Sequence, residues 1–141
     1  TSVFHTDGSI QFVFPIGLTG NYYFVLRHRN AIETWSATSQ SISSGMFYDF
    51  TDVPNRSLGD NMKNLEPGAY GLYSGDISNN ANQAVQDGII NESDLGQMEI
   101  SLDQMLSGYY INDLTGDNMI ESSDYSLIEN NMQLNITVHR P

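Results

Sequence analysis

The 141-residue chain contains no cysteine. Disulfides, cysteine-ligated zinc and thiol nucleophiles are therefore excluded, although the compartment is not identified. No apolar run is long enough for a membrane span, which needs about 20 residues. The longest cluster, "IQFVFPIGL", is interrupted by Pro15 and Gly17. No signal-peptide pattern is visible. The first residue is Thr1, so the expectation is a fragment or a processed product. Bases are scarce: five Lys and Arg face seventeen acids, for a formal net charge of −12. That balance argues against nucleic acid and against an anionic membrane surface as partners. No serine elbow, HExxH, P-loop or GxGxxG pattern occurs. The three histidines, His5, His28 and His139, lie far apart in sequence. No nucleophile–base or acid pair can be named, so the expected role is not enzymatic.

What is present suits a folded chain. Hydrophobic residues make up 39%, with 8 Tyr and 6 Phe, enough for one domain, or two small ones, with a core. The charge is divided unequally. Residues 1–75 hold six acids and four bases, a net of −2, whereas residues 76–141 hold eleven acids against Arg140 alone, a net of −10. The second half therefore repels itself or holds cations.

The first half carries strand signals. Ser9–Pro15, Tyr22–Arg29, Ile32–Ala37 and Met46–Asp52 are rich in β-branched and aromatic residues and are separated by turn chemistry such as "LTGN". Short strands at this spacing predict a small antiparallel β-sandwich over residues 1–68. Trp35, with His28, Arg27 and Arg29 nearby, has the chemistry of a sugar-stacking site. The simpler expectation is that Trp35 belongs to the core and that the arginines pair with Glu33 or Asp49.

The second half is dominated by "NDLTGDNMIESSDYSLIENN", which crowds Asp113, Asp117, Glu121 and Asp124 together. Like charges at about 4 Å repel by roughly 4 kcal/mol at an effective dielectric near 20. Their spacing fits a calcium loop, which needs oxygen ligands at positions 1, 3, 5, 7, 9 and 12 and a tight turn at 6. Asp113 takes position 1, Thr115 position 3, Asp117 position 5, the Met119 carbonyl position 7, Glu121 position 9 and Asp124 position 12. Asn118 at position 6 tolerates a positive φ, and the apolar Ile120 pins the loop to a core. Ser122 or Ser123 is placed to cap a helix beginning near Asp124, with Leu127 and Ile128 facing inward.

The pattern occurs twice. Thirty residues back, Asp117 falls on Asp87, Asn118 on Gly88, Ile120 on Ile90, Glu121 on Asn91 and Asp124 on Asp94. Thirty-seven residues back, Asp113 falls on Asp76 and Thr115 on Ser78. A first loop thus uses Asp76, Ser78, Asp87, the Ile89 carbonyl, Asn91 and Asp94, with an insertion in Asn79–Gln86. Leu95, Met98, Leu102 and Met105 form the apolar stripe of the following helix. A rival register runs unbroken from Asp76 to Asp87, with Asn80 at position 5 and Ala84 at position 9, but no helix follows its position 12. Oxygen-only ligands in flexible loops favour Ca2+ over Mg2+, so two calcium ions are expected. Simple Asp-rich turns and the helix dipole also explain acidic helix starts, but neither predicts a repeat matching in acid, turn and apolar positions together.

Two tandem loop–helix units with Asp at position 12, "GDIS…QDGIINESDL" and "NDLTGDNMIESSDYSLI", resemble a dockerin-type module. With "GNYYFVLRHRNAIETWSA", "YDFTD", "YGLYSGDI" and the ending "HRP", the chain is similar to the C-terminal region of many large secreted Bacteroidota proteins, in which a small β-domain precedes a dockerin-like calcium repeat. The first loop departs from that pattern by its insertion and by Ser78 where Asn or Asp is usual. The expected chain is α+β, with a small β-sandwich over 1–68 and calcium loop–helix repeats over 69–132; "QLNITVHRP" over 133–141 alternates like a final strand and is expected to return to the first-half sheet. The resemblance implies a non-catalytic, secreted or cell-surface bacterial module at the end of a larger protein, with a structural, attachment or protein–protein interaction role. The partner would be a cohesin-like protein or a surface glycan. The alternatives are a glycan-binding or adhesive module and a secretion or anchoring signal.

Overall fold

The computed structural model describes residues 2–4, 9–79 and 85–141. His5, and Asn80 and Ala84 of the rival register, lie outside the described residues. The chain is α+β. Among the described residues, eight short strands pair into four two-stranded antiparallel sheets, and two helices follow them. Strands β1 (Ser2–Phe4) and β2 (Ile10–Phe12) form the first hairpin, and β3 (Asn21–Tyr22) pairs with β6 (Gln40–Ser41). Between them lies the hairpin of β4 (Val25–His28) and β5 (Ala31–Trp35), whose register shifts between Leu26 and His28. The last hairpin joins β7 (Lys63–Glu66) to β8 (Ala69–Gly71) through Pro67 and Gly68, where a positive φ of 80° suits glycine.

These sheets do not assemble into the expected sandwich. A sandwich needs two sheets that each bury a face. Here the apolar residues of the first segment stay exposed: Phe12 at 59%, Val13 at 75% and Ile16 at 107%. The expected strand Tyr22–Arg29 is split between β3 and β4, and Met46–Asp52 forms no strand. The latter packs through its aromatic rings, with Tyr48 edge-on to both Phe24 and Phe50. Among the described residues, β5 is the strand that buries most of its side chains, with Ala31, Ile32 and Thr34 at or below 4% exposure.

Ile32 buries itself among the helices. The central core joins Ile32 to Ile77, Ile90, Met98, Ile120 and Ile128. Helix α1 (Glu92–Asp103) contributes Met98, and helix α2 (Ser122–Met132) contributes Ile128. Leu95 and Leu102 pack on this core, whereas Met105 lies past the end of α1 and is 88% exposed. Leu127 is half-buried. At α2 the N-cap is Glu121, rather than Ser122 or Ser123, because Asp124 already closes the helix start by accepting the Glu121 amide at 3.0 Å.

Hydrogen bonds cross between the residues on either side of position 68. Ile32 N–H donates to the Tyr73 carbonyl at 2.8 Å and Gly75 N–H to the Asn30 carbonyl at 2.7 Å. Asn131 of α2, fully buried, donates to the Ser74 carbonyl and accepts from Lys63 Nζ. The C-terminal residues also differ from expectation. They form no strand of the first-half sheets. Thr137 instead makes an isolated antiparallel bridge with Ile89. Contacts to the first half come from side chains: Asn61 Nδ2 donates to the Thr137 carbonyl at 3.0 Å, and Arg140 pairs with Glu33 at 2.9 Å. The last residues alternate like a strand, but loop backbone supplies the edge they meet.

Candidate metal centre

Two acidic segments precede the helices, and the fold closes each one around an aspartate at the third helical position. In the second, Asp124 Oδ1 accepts the amides of Leu114 at 2.8 Å and Thr115 at 2.9 Å. In the first, Asp94 Oδ1 accepts those of Ile77 at 2.8 Å and Ser78 at 2.9 Å, while Oδ2 accepts the Asn91 amide at 2.9 Å. Asn91 accepts the Ser93 amide at 2.7 Å, and its side chain also takes the Asp94 amide, which completes a capping box. Each aspartate thus fastens the front of its loop to the start of its helix.

The opening aspartates do the converse. Asp113 accepts the amides of Gly116 at 2.7 Å and Asn118 at 3.2 Å. Asp76 accepts those of Asp87 and Gly88, both at 3.1 Å, and so draws the two sides of the insertion together. Asp87 and Asp117 turn their carboxylates toward the amides two residues on, those of Ile89 and Met119. Gly88 and Asn118 both have positive φ, 85° and 67°. With offsets of thirty residues behind the insertion and thirty-seven before it, the two loops share these hydrogen bonds but for one: the Gly116 amide falls on Gln86, whereas Asp76 accepts the Asp87 amide.

Asp76, Asp94, Asp113 and Asp124 are each at or below 1% exposure. Burial, and next the charge of Asp94, pushes the Asp76 carboxyl up to about 7. Burial also raises Asp94, partly offset by the amides of Asn91, Ile77 and Ser78. Among the described residues no basic side chain pairs with Asp76, Asp94 or Asp124; Arg29 lies 3.7 Å from Asp113 Oδ2.

The donor chemistry fits a hard cation: every candidate ligand is an oxygen, and among the described residues three of the four buried carboxylates, those of Asp76, Asp94 and Asp124, lack a basic partner. The arrangement is nonetheless tight on itself. Among the described residues, no group of three or more His, Cys, Asp or Glu side chains comes together as a metal-holding set. Thr115, Asp117, Met119 and Glu121 are exposed, and Ser78 Oγ is turned to Asp94 at 3.4 Å. Asp94 spends most of its roughly four acceptor positions on amides, leaving Asp76 and Asp113 with more capacity.

Several neighbours of the loops carry no local sequence signal. Arg29 and Asn30, at the turn of the β4–β5 hairpin, both donate to the Asp113 carbonyl at 2.9 Å. Arg29 also donates to the Tyr110 carbonyl and lies 4.1 Å from the centre of the Tyr109 ring. Gln86 holds the Asp76 and Ala31 carbonyls, each at 2.9 Å. These contacts are long-range and invisible to periodicity. Arg27 does pair with Glu33, at 2.7 Å. Trp35 is half-buried, donates its indole N–H to Glu33 and meets Tyr23 edge-on. No helix among the described residues is long and apolar enough to cross a membrane. No protein-family model, curated protein or solved structure matches the chain.

Proposed function

We propose that the chain is a non-catalytic calcium-binding module of the dockerin-like kind, carried by a secreted or cell-surface protein, with a structural or protein–protein interaction role. The observation that carries this reading is the pair of equivalent loops, each with two fully buried aspartates and only one of them faced by a basic side chain. A buried carboxylate pair without a counter-charge costs several kcal/mol, and a divalent cation removes that cost. Asp76, Ser78, Asp87, the Ile89 carbonyl, Asn91 and Asp94 would hold one ion. Asp113, Thr115, Asp117, the Met119 carbonyl, Glu121 and Asp124 would hold the other. The ion supplies charge neutralisation and a link between each loop and its helix.

Protein recognition is preferred over glycan stacking because Trp35 is half-buried and its indole N–H is engaged by Glu33. The test is a calorimetric titration with calcium chloride into the millimolar range, where extracellular sites of this type bind at about 10⁻⁴–10⁻³ M. Two equivalents bound, with a melting temperature that falls in chelator, support the reading. Absence of binding heat together with an unchanged melt refutes it.

A further inference from the structure

In each loop a side chain grips the main-chain carbonyl of the opening aspartate, and the two grips come from different places. The Asp76 carbonyl accepts from Gln86 Nε2 at 2.9 Å, a neutral amide of the same loop. The Asp113 carbonyl accepts instead from Arg29 Nη2 and Asn30 Nδ2, both at 2.9 Å, from the turn of the β4–β5 hairpin. The guanidinium of Arg29 reaches further. Its Nη1 donates to the Tyr110 carbonyl, and its face lies over the Tyr109 ring. The Asp113 amide donates to that same Tyr110 carbonyl at 3.2 Å, so Arg29 spans both ends of the turn that leads into the second loop. Asn30 is itself held. It is 2% exposed, its Oδ1 meets His28 Nδ1 at 2.8 Å, and its carbonyl accepts the Gly75 amide. The first loop is thus braced from within and the second from the β-half of the chain.

We propose that Arg29 is a positioning residue for the second loop: its fork fixes the turn that carries Asp113 and so raises that loop's affinity for calcium. The inference rests on the calcium reading given above. Two effects oppose each other. A cation near a divalent ion repels it, whereas a brace removes disorder that binding would otherwise have to remove. The geometry favours the brace. Arg29 Nη2 lies 3.7 Å from Asp113 Oδ2, too far for a hydrogen bond to the carboxylate. Its donors go to main-chain carbonyls, its face goes to an aromatic ring, and its side chain is 20% exposed to water. The charge is therefore shared out and screened, while the two carbonyls are held in fixed relation. Only a planar guanidinium spans two carbonyls at once; a lysine ammonium on its flexible stem does not.

The experiment titrates the full chain, as wild type, Arg29→Gln and Arg29→Lys, with calcium chloride. The backbone amide resonance of Asn118 follows the second loop and that of Gly88 the first. Both variants are expected to weaken the second loop by about five-fold or more, with the first loop within about two-fold of wild type. A loss of stability alone does not produce that split, because both loops are read in the same folded molecule. A second loop that is unchanged or tighter in Arg29→Gln overturns the proposal, the tighter outcome meaning that repulsion wins. So does Arg29→Lys binding like the wild type while Arg29→Gln weakens, which would assign the effect to charge rather than to the fork. Equal weakening of both loops also overturns it. In each of these cases calcium binding by the wild type still stands; no binding by the wild type overturns both readings. Should neither variant fold in saturating calcium, Tyr109→Ala takes their place. Tyr109 is 79% exposed, and its removal strips the ring from under the guanidinium. An unaltered second-loop affinity in that variant overturns the proposal.

Discussion

Replacing Asp124 by asparagine separates what this side chain does for the fold from what it does for an ion. Asparagine keeps an oxygen for the amides of Leu114 and Thr115, but its amino group replaces the Oδ2 that accepts the Glu121 amide at 3.0 Å. That leaves two donors facing each other, at a cost of about 1–3 kcal/mol. A further ~0.3–1 kcal/mol is lost with the negative charge in the first turn of α2. In calcium-free buffer these two losses amount to about 1.3–4 kcal/mol, offset in part by the charge penalty that neutralising a buried, unpaired carboxylate removes. Calcium adds a separate quantity. At 10 mM calcium and a dissociation constant of about 10⁻⁴–10⁻³ M, each loop gains about 1.4–2.7 kcal/mol by mass action. Two loops gain about 3–5 kcal/mol, a rise in melting temperature on the order of 10 °C. Asp124→Asn is expected to lose at least half of that gain. Urea unfolding followed by Trp35 fluorescence and by far-ultraviolet circular dichroism, with and without 10 mM calcium, measures both quantities. A variant that gains as much from calcium as the wild type would refute the assignment of Asp124 as a ligand. The calcium-free loss would then reflect its hydrogen bonds alone.

Stability in calcium-free buffer is expected to fall by about 2–3 kcal/mol as pH rises from 5 to 7. The folded Asp76 carboxyl keeps its proton to about 7, whereas the unfolded one releases it near 3.8. The native state thus binds the extra proton in that window and loses the advantage as pH climbs; a stability that rises over this interval contradicts it. Saturating calcium should flatten or invert the slope, because ion and proton compete for the same oxygens. Gly88→Ala places a Cβ 2.6 Å from Val138 Cγ1 at a φ of 85°, and should cost about 2–4 kcal/mol in chemical denaturation. Ile32→Ala should cost about 2–5 kcal/mol. Fluorescence and helical signal should still melt together in that variant, since Ile32 lies in the same core as Met98 and Ile128; two separate transitions would show that the halves fold independently.

The sequence by itself determined the local features of the second half. The acid spacing, the turn residues at Gly88 and Asn118, the helices after Asn91 and Glu121, and the inward Ile90, Ile120, Met98 and Ile128 all follow from short-range chemistry that a periodic pattern displays. The offsets on either side of residues 79–86 come from the sequence alone, where Asp76 and Ser78 keep phase with Asp113 and Thr115, and Asp87, Ile90 and Asp94 with Asp117, Ile120 and Asp124. Sequence patterning could not say which strands would pair in the first half. The alternation in Tyr22–Arg29 suits many partners, and among the described residues β5 buries itself against the helices and loops of the second half rather than against a second sheet. Nor could it assign the end of the chain. "QLNITVHRP" reads as a strand from its alternation, but a strand is completed by whichever edge it meets, and that edge is Gly88–Ile90 of the first loop. Long-range contacts of this kind, like those of Arg29 and Asn30 on Asp113, depend on where the packed core brings distant backbone together, and only the tertiary structure decided them.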